Sequence, residues 1–374
     1  MKVLTVVGTR PEIIRLSATI AELDQSVEHI LVHTGQNHDP GLSDVFFAEF
    51  GLRPPDHHLG IGGGTAAEAI AAIITGTDAI LAQEEPDAFL CLGDTNSCLS
   101  VIPAKRRKIP IFHAEAGNRC YDLNVPEEVN RRIVDHTADV NIAYAEPARR
   151  NLLAEGLDPQ LCLTLGSPLS EVLAKARSRI DASTVLGRLD VAPNGYFLAS
   201  VHRAETVDDP ARLAQVLAGL RALSAAHARP VLVSTHPRTR ARINDANVSI
   251  NTTDVRYCPP FGFFDYICLQ ENAACVLSDS GSLSEEAGLL GFPAVALRET
   301  HERLEAMDRA TTILAGRKLD DILRATKIAM RHHREASPLG KVPAYDAPAF
   351  SKALVRTILS HTSYVNTRVW RKAG

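Results

Sequence analysis

No stretch of about 18 uninterrupted apolar residues runs through this sequence, which is what a membrane-spanning helix would need. The opening MKVLTVVGTRPE breaks its five-residue apolar run at Gly8, too early for the core of a signal peptide, so neither export nor membrane insertion is expected. Charge of one sign is lacking as well. The formal net charge of −4 gives no reason to expect a nucleic-acid partner, and a small molecule is the better expectation. The seven cysteines, Cys91, Cys98, Cys120, Cys162, Cys258, Cys268 and Cys275, are odd in number and form no CxxC pair and no zinc spacing. They read as reduced core residues of a cytoplasmic protein with no bound metal. A dinucleotide fingerprint is also wanting. In GIGGGTAAEA at 60–69 Thr65 replaces the third glycine and no strand signal precedes it, so the segment reads as a surface loop and a tightly held NAD is not expected. Neither GxxxxGK[ST] nor GxSxG occurs. The basic run AKRRKIP at 104–110 reads as the solvated last turn of a helix, where cations suit the dipole.

What the chain does have is length and rhythm. Its 374 residues suit two domains of roughly 150 to 190 residues each. Short apolar runs recur with room for a helix between them: VLTVV, HILVH, FLCLGD, IPIFHAE and VNIAYAE, then YFLASVH, PVLVSTH, ACVLSDS and PAVALRE. Continuous apolar strands separated by amphipathic stretches predict an α/β class with doubly wound parallel sheets. Gly166 and Pro168 suggest a break, giving domains 1–168 and 169–349, and the final segment 350–374 carries apolar residues at helical spacing.

In open α/β sheets ligands bind beyond the carboxyl ends of the strands, so the residues that follow each apolar run matter most. The first run is followed by GTRPE, with Gly8 at a tight turn, Arg10 available to an anion and Pro11 suited to a first helical turn. Later runs are followed by GDT (Asp94), HAEAGNR (His113, Glu115, Arg119), VHRAE (His202) and THPRTR (His236, Arg238). Residues 113–136 alone hold Glu115, Asp122, Glu127, Glu128 and Asp135, and this acidic crowding suggests acid/base work rather than a solvated helix face. In LSDSGSLSEEAGLLG, Ser280, Gly281 and Ser282 open a helix whose free N–H groups suit a phosphate, and the nearby Glu285 and Glu286 suit a diol such as ribose.

Assembled in order, these segments resemble the non-hydrolysing UDP-N-acetylglucosamine 2-epimerase family. The resemblance rests on VVGTRPEIIRLS, TGQNHDPGLSDVFFAEFGL, LGDTNS, HAEAGNR with PEEVNRR, TLGSP, VHRAE, THPRTR, SDSGSLSEEAGLLGFPAVALRE and THERLEAM, and it covers nearly the whole chain. It implies two Rossmann-like domains facing each other across a cleft, the glycosyltransferase B arrangement, with a C-terminal helix returning to the first domain, and a homodimer. The family's acid/base carboxylates fall on Asp94, Glu115 and Glu127 and its catalytic histidine on His202. Its substrate and UDP contacts fall on Arg10, Arg15, Arg119, Arg131, His236, Arg238, Tyr266, Ser280, Gly281, Ser282 and Glu286. The implied reaction eliminates UDP to a 2-acetamidoglycal and adds it back, and needs no cofactor. Arg15 where common members carry lysine, GNRCYD in place of a GLR loop, and Leu304 in place of a proline look more like the subgroup that forms UDP-N-acetyl-L-fucosamine from its L-talose epimer. Conversion of UDP-N-acetylglucosamine to UDP-N-acetylmannosamine is the first alternative, and a UDP-sugar glycosyltransferase of the same fold is the second.

Overall fold

The computed structural model describes residues 1–36, 46–245, 254–335 and 340–372. Part of the TGQNHDPGLSDVFFAEFGL segment lies outside them. The chain forms two compact units, Met1–Ala174 with Ala344–Gly374, and Lys175–Pro343.

The first unit is built on a seven-stranded sheet. In chain order the strands are β1 (Lys2–Val7), β2 (Glu28–His33), β3 (His57–His58), β4 (Ala88–Leu92), β5 (Ile111–Ala114), β6 (Val140–Ala143) and β7 (Cys162–Thr164). They lie in the order β3-β2-β1-β4-β5-β6-β7, and every pairing is parallel. Parallel strands need crossovers, and helices over both faces bury the strands on two sides. That is why β4 reads AFLCL without a polar residue, and why Leu4, Val6, Phe89 and Ile111 are wholly or almost wholly buried. Each such side chain contributes about 1.5–3 kcal/mol of transfer free energy.

The second unit repeats the plan with six strands: β8 (Phe197–Ser200), β9 (Val231–Ser234), β10 (Val255–Cys258), β11 (Cys275–Ser278), β12 (Ala294–Ala296) and β13 (Ile313–Leu314). Their order is β10-β9-β8-β11-β12-β13, again all parallel. The doubly wound α/β expectation therefore holds for both sheets.

Proline begins several helices in positions where a missing N–H costs nothing, as in Arg10–Ser26 and Pro126–Thr137. Helix Phe350–Arg368 lies against helix Arg10–Ser26 in the first unit, and Ser351 donates to both oxygens of the Glu171 carboxylate at 2.7 and 2.8 Å. Thr65 caps helix Ala66–Glu84 in a reciprocal box with Glu68, and the two-residue β3 does precede this glycine-rich turn. That helix is long and apolar enough to pass as a membrane span on length and composition, with mean hydropathy 1.2. It nevertheless packs Ile73, Ile80 and Leu81 inward, and its Asp78 pairs with Arg107 at 2.7 Å.

Candidate active site

Both sheets reverse their strand order once, between β1 and β4 in the first unit and between β8 and β11 in the second. A crevice opens at such a reversal because the crossovers on either side run to opposite faces. GTRPE and GDT fall at the first of these points and VHRAE and SDSGS at the second, with HAEAGNR and THPRTR on the adjoining strands β5 and β9.

In the first unit, Gly8 leaves β1 so close to the neighbouring loop that a Cβ would stand 1.9 Å from Ser97 Oγ. Glu12 fixes the turn. Its Oε2 accepts from the backbone N–H of Gly8 (2.8 Å) and Thr9 (2.7 Å), and its Oε1 accepts from Thr95 Oγ1 (2.7 Å), one residue beyond Asp94. Burial pushes the Glu12 carboxyl up, against the pull of these donors. Arg10 is exposed, its guanidinium 5.5 Å from the centre of the Phe46 ring. One helical turn further, Arg15 is buried and places Nε 3.8 Å from Glu115 Oε2.

Glu115 follows β5 with φ +69, a left-handed backbone that a residue with a side chain adopts at a cost. Tyr144, at the end of β6, donates its hydroxyl to Glu115 Oε2 at 3.1 Å, and Asn118 Nδ2 lies 3.5 Å from Oε1. Asp94 follows β4, and Arg131 grips its Oδ2 with Nε and Nη2, both at 2.8 Å. The third Arg131 nitrogen lies 3.2 Å from Glu128 Oε2. Asp94, Glu115, Arg15 and Arg131 are thus drawn together at the ends of β4 and β5. Glu127 sits half-buried in the first turn of helix Pro126–Thr137, whereas its neighbour Glu128 is fully buried and also accepts from the Cys120 backbone N–H at 3.0 Å.

Arg119 differs from its expected role as a ligand contact. Its side chain is fully buried, with Nη1 2.6 Å from Asp135 and Nη2 2.6 Å from Glu155, so the guanidinium is committed to the interior. Beside it His113 is 1% exposed, with Nδ1 2.9 Å from Asp135 Oδ1 and Nε2 2.8 Å from the Gly93 carbonyl. Burial alone would lower the His113 pKa; the Asp135 carboxylate overrides it and holds it up at about 9. Arg119, with help from His136, holds Glu155 down at about 2.

These two shifts predict opposite limbs of stability. The His113 contribution is present in full below its ordinary 6.5 and lost as the pH rises through about 9. The Glu155 contribution is present above 4.5 and lost as the pH falls through about 2. Urea-denaturation midpoints measured from pH 2 to about 10 should fall on both sides, and His113→Gln should flatten the alkaline limb.

In the second unit, the buried Asp279 after β11 organises the end of β8. Its carboxylate accepts from the backbone N–H of His202 (3.1 Å to each oxygen) and of Arg203 (3.0 Å). The His202 ring lies 6.0 Å from that of His236, whose Nδ1 accepts from the Arg238 backbone N–H at 3.2 Å. Arg238 is exposed and pairs with Asp208. Ser280 and Ser282 share a hydroxyl contact at 3.0 Å where helix Ser282–Leu290 begins. Gly281 is confined: a Cβ there would stand 1.9 Å from Glu302 Oε1, and Glu302 is gripped by Arg298 at 2.8 Å. Glu286 accepts from Gln270 Nε2 at 2.5 Å, and half-buried Tyr266 lies on helix Phe263–Asn272.

A sequence profile of the UDP-N-acetylglucosamine 2-epimerase family matches residues 21–359. The chain belongs to this family. It is an isomerase of the UDP-sugar 2-epimerase kind. The epimerase is 44% identical to a UDP-N-acetylglucosamine 2-epimerase of Rickettsia bellii, with a TM-score of 0.91 over 100% of both chains. It is 30% identical to the Methanocaldococcus jannaschii enzyme solved with UDP-GlcNAc and UDP, with a TM-score of 0.90 over 96% of this chain and 100% of that one. It is also 31% identical to a UDP-2,3-diacetamido-2,3-dideoxy-D-glucuronate 2-epimerase of Pseudomonas aeruginosa, over 88% of this chain and 92% of the relative.

The sequence motifs single out neither Tyr144, Asp279 nor Glu302, and they include Glu128 and Asp135 only as members of the acidic cluster at 113–136. Tyr144 carries no signal beyond its place at the end of an apolar run. Glu128, Arg131 and Asp135, by contrast, recur at i, i+3 and i+7, which puts them on one helix face.

Proposed function

We propose that this protein interconverts the C2 epimers of a UDP-2-acetamido sugar without hydrolysing it. The observation that carries the proposal is the pair of carboxylates, Asp94 and Glu115, at the ends of neighbouring strands, each beside an arginine. No carbonyl lies alpha to C2 of such a sugar, so plain deprotonation is too costly and a leaving group must help. A carboxylate takes the C2 proton, the C–H electron pair forms the C1–C2 double bond, and the C1–O pair departs with UDP. In the return step a UDP oxygen attacks C1, and C2 takes a proton on the opposite face. Asp94, Glu115 and Glu127 share these proton transfers. His202 and Arg10 stabilise the departing diphosphate, with Arg15 and Arg131 setting the carboxylates. Ser280, Gly281, Ser282 and Glu286 hold UDP, with His236, Arg238 and Tyr266 beside them. The reaction needs no cofactor, and the enzyme acts as a cytoplasmic homodimer supplying surface polysaccharide synthesis.

The favoured substrate pair is UDP-2-acetamido-2,6-dideoxy-L-talose and UDP-N-acetyl-L-fucosamine, on the strength of Arg15, Leu304 and the GNRCYD loop. The D-sugar pair, UDP-N-acetylglucosamine and UDP-N-acetylmannosamine, is the second reading and is supported by the names of the relatives above. Incubation in deuterium oxide with each pair, followed by NMR at C2, separates them. Inversion with one deuterium gained by the L-sugars alone is the expected result; exchange of the D-sugars supports the second reading, and no exchange with either pair defeats the elimination mechanism.

A further inference from the structure

We propose that the buried carboxylate of Asp135, acting with His113 and Arg119, is a positioning device that sets the Asp94 and Glu115 loops relative to each other. The inference rests on the reading of Asp94 and Glu115 as the proton-transfer groups. Asp135 is fully buried on helix Pro126–Thr137, and His113 and Arg119 are 1% and 0% exposed, so none of the three touches a substrate.

One carboxylate holds both loops. Asp135 accepts from the Gly117 backbone N–H, at 3.3 Å to Oδ1 and 3.2 Å to Oδ2, two residues past Glu115. It accepts from Arg119 Nη1 at 2.6 Å, and the same nitrogen donates to the Asn118 carbonyl at 2.8 Å. On the other side, His113 Nδ1 stands 2.9 Å from Asp135 Oδ1, while Nε2 stands 2.8 Å from the carbonyl of Gly93, the residue before Asp94. Nε2 has hydrogen-bonding geometry to the Gly93 carbonyl, whereas Nδ1 meets Asp135 as a close ion pair without hydrogen-bond alignment, so it is the charge of an imidazolium that ties Asp135 to the Asp94 loop. Asp94 is held from the same helix a second time, by Arg131 on its carboxylate and by Asn130 Nδ2 on its carbonyl at 2.9 Å.

Glu115 is where this anchoring is needed. Its φ of +69 persists only if the surroundings impose it, and the contacts made by residues 113, 117 and 119 fix the chain on both sides. A loop free to relax would carry the carboxylate away from its strand-end position, and small displacements of a reacting group cost large factors in rate.

The test is His113→Gln, which keeps a polar side chain but brings no positive charge to Asp135. The expected result is a folded protein with kcat lowered by about 30-fold and with KM and UDP affinity little changed. The double variant with Glu115→Gln should lose clearly less than the product of the two single losses, because part of the device acts through the group already removed. A merely structural role would leave the kcat of the folded fraction intact or multiply the two losses, and either outcome overturns the proposal. Asp135→Asn is the second variant and should show the same pattern. Should both fail to fold, 15N-histidine NMR of the unaltered protein decides: two ring N–H resonances for the buried His113 support the bridge, and one overturns it. A normal rate for both Glu115→Gln and Glu127→Gln would sink the site reading itself, while a slow Glu115→Gln beside a normal His113→Gln would sink only the positioning role.

Discussion

Glu115→Gln is expected to lower kcat by about 100-fold or more while UDP affinity stays within a small factor. Glutamine matches glutamate in shape and can still accept from the Tyr144 hydroxyl, now 3.1 Å from Oε2, so the loop has little reason to move. What it loses is the capacity to take or return a proton. A 100-fold loss corresponds to about 2.7 kcal/mol of transition-state stabilisation, the size expected when a general acid/base is removed. The groups proposed to hold UDP belong to the other unit, at the start of helix Ser282–Leu290, so UDP binding by calorimetry should report an intact nucleotide site. Steady-state rates and C2 deuterium exchange should fall together. A near-normal rate in both Glu115→Gln and Glu127→Gln would remove these two carboxylates from the chemistry.

Arg119→Leu is expected to destabilise the first unit by about 3–5 kcal/mol. The guanidinium is fully buried and is shared between Asp135, itself wholly buried, and the part-exposed Glu155. Removing it leaves the Asp135 charge to His113 alone, and losing one partner of a buried pair costs far more than losing a surface pair. Arg119→Lys should cost less but still weaken the unit, because an ammonium cannot span two carboxylates as a planar fork does. Urea denaturation followed by circular dichroism measures both, with the first unit's transition moving to lower urea. A loss under about 1 kcal/mol for Arg119→Leu would mean that water reaches Asp135 readily.

The strands of the sheet centres were legible because a strand buried on both faces has no polar side to interrupt it, as FLCLG and YFLAS illustrate. The outermost strands were not. β3 and β13 have two residues each, too few for any periodicity, and β10 mixes Arg256 between apolar neighbours because an edge strand meets solvent. At the candidate site, motif order identified which loops matter but not how the charges in them are shared. HAEAGNR offers a histidine, a glutamate and an arginine of equal standing, and only packing assigns His113 and Arg119 to the interior while leaving Glu115 at the strand end. The choice between Glu127 and Glu128 turns on a single 100° step around one helix, which local composition does not register. The resemblance implies a ligand contact for Arg119, and only packing shows that the anions it meets are Asp135 and Glu155.

The first unit is assembled from both ends of the chain, Met1–Ala174 and Ala344–Gly374. On a ribosome adding ~5–20 residues per second, the residues of the second unit take roughly 10–35 s to appear before the final helix does. Throughout that interval the surface of helix Arg10–Ser26 that receives helix Phe350–Arg368 has no cover, and Glu171 waits for Ser351. The nascent seven-stranded half therefore lacks its last helix for that time, whereas the six-stranded half is continuous in sequence. Chains that terminate early would leave the older half of the protein as the unfinished one, exposed to chaperones and proteases.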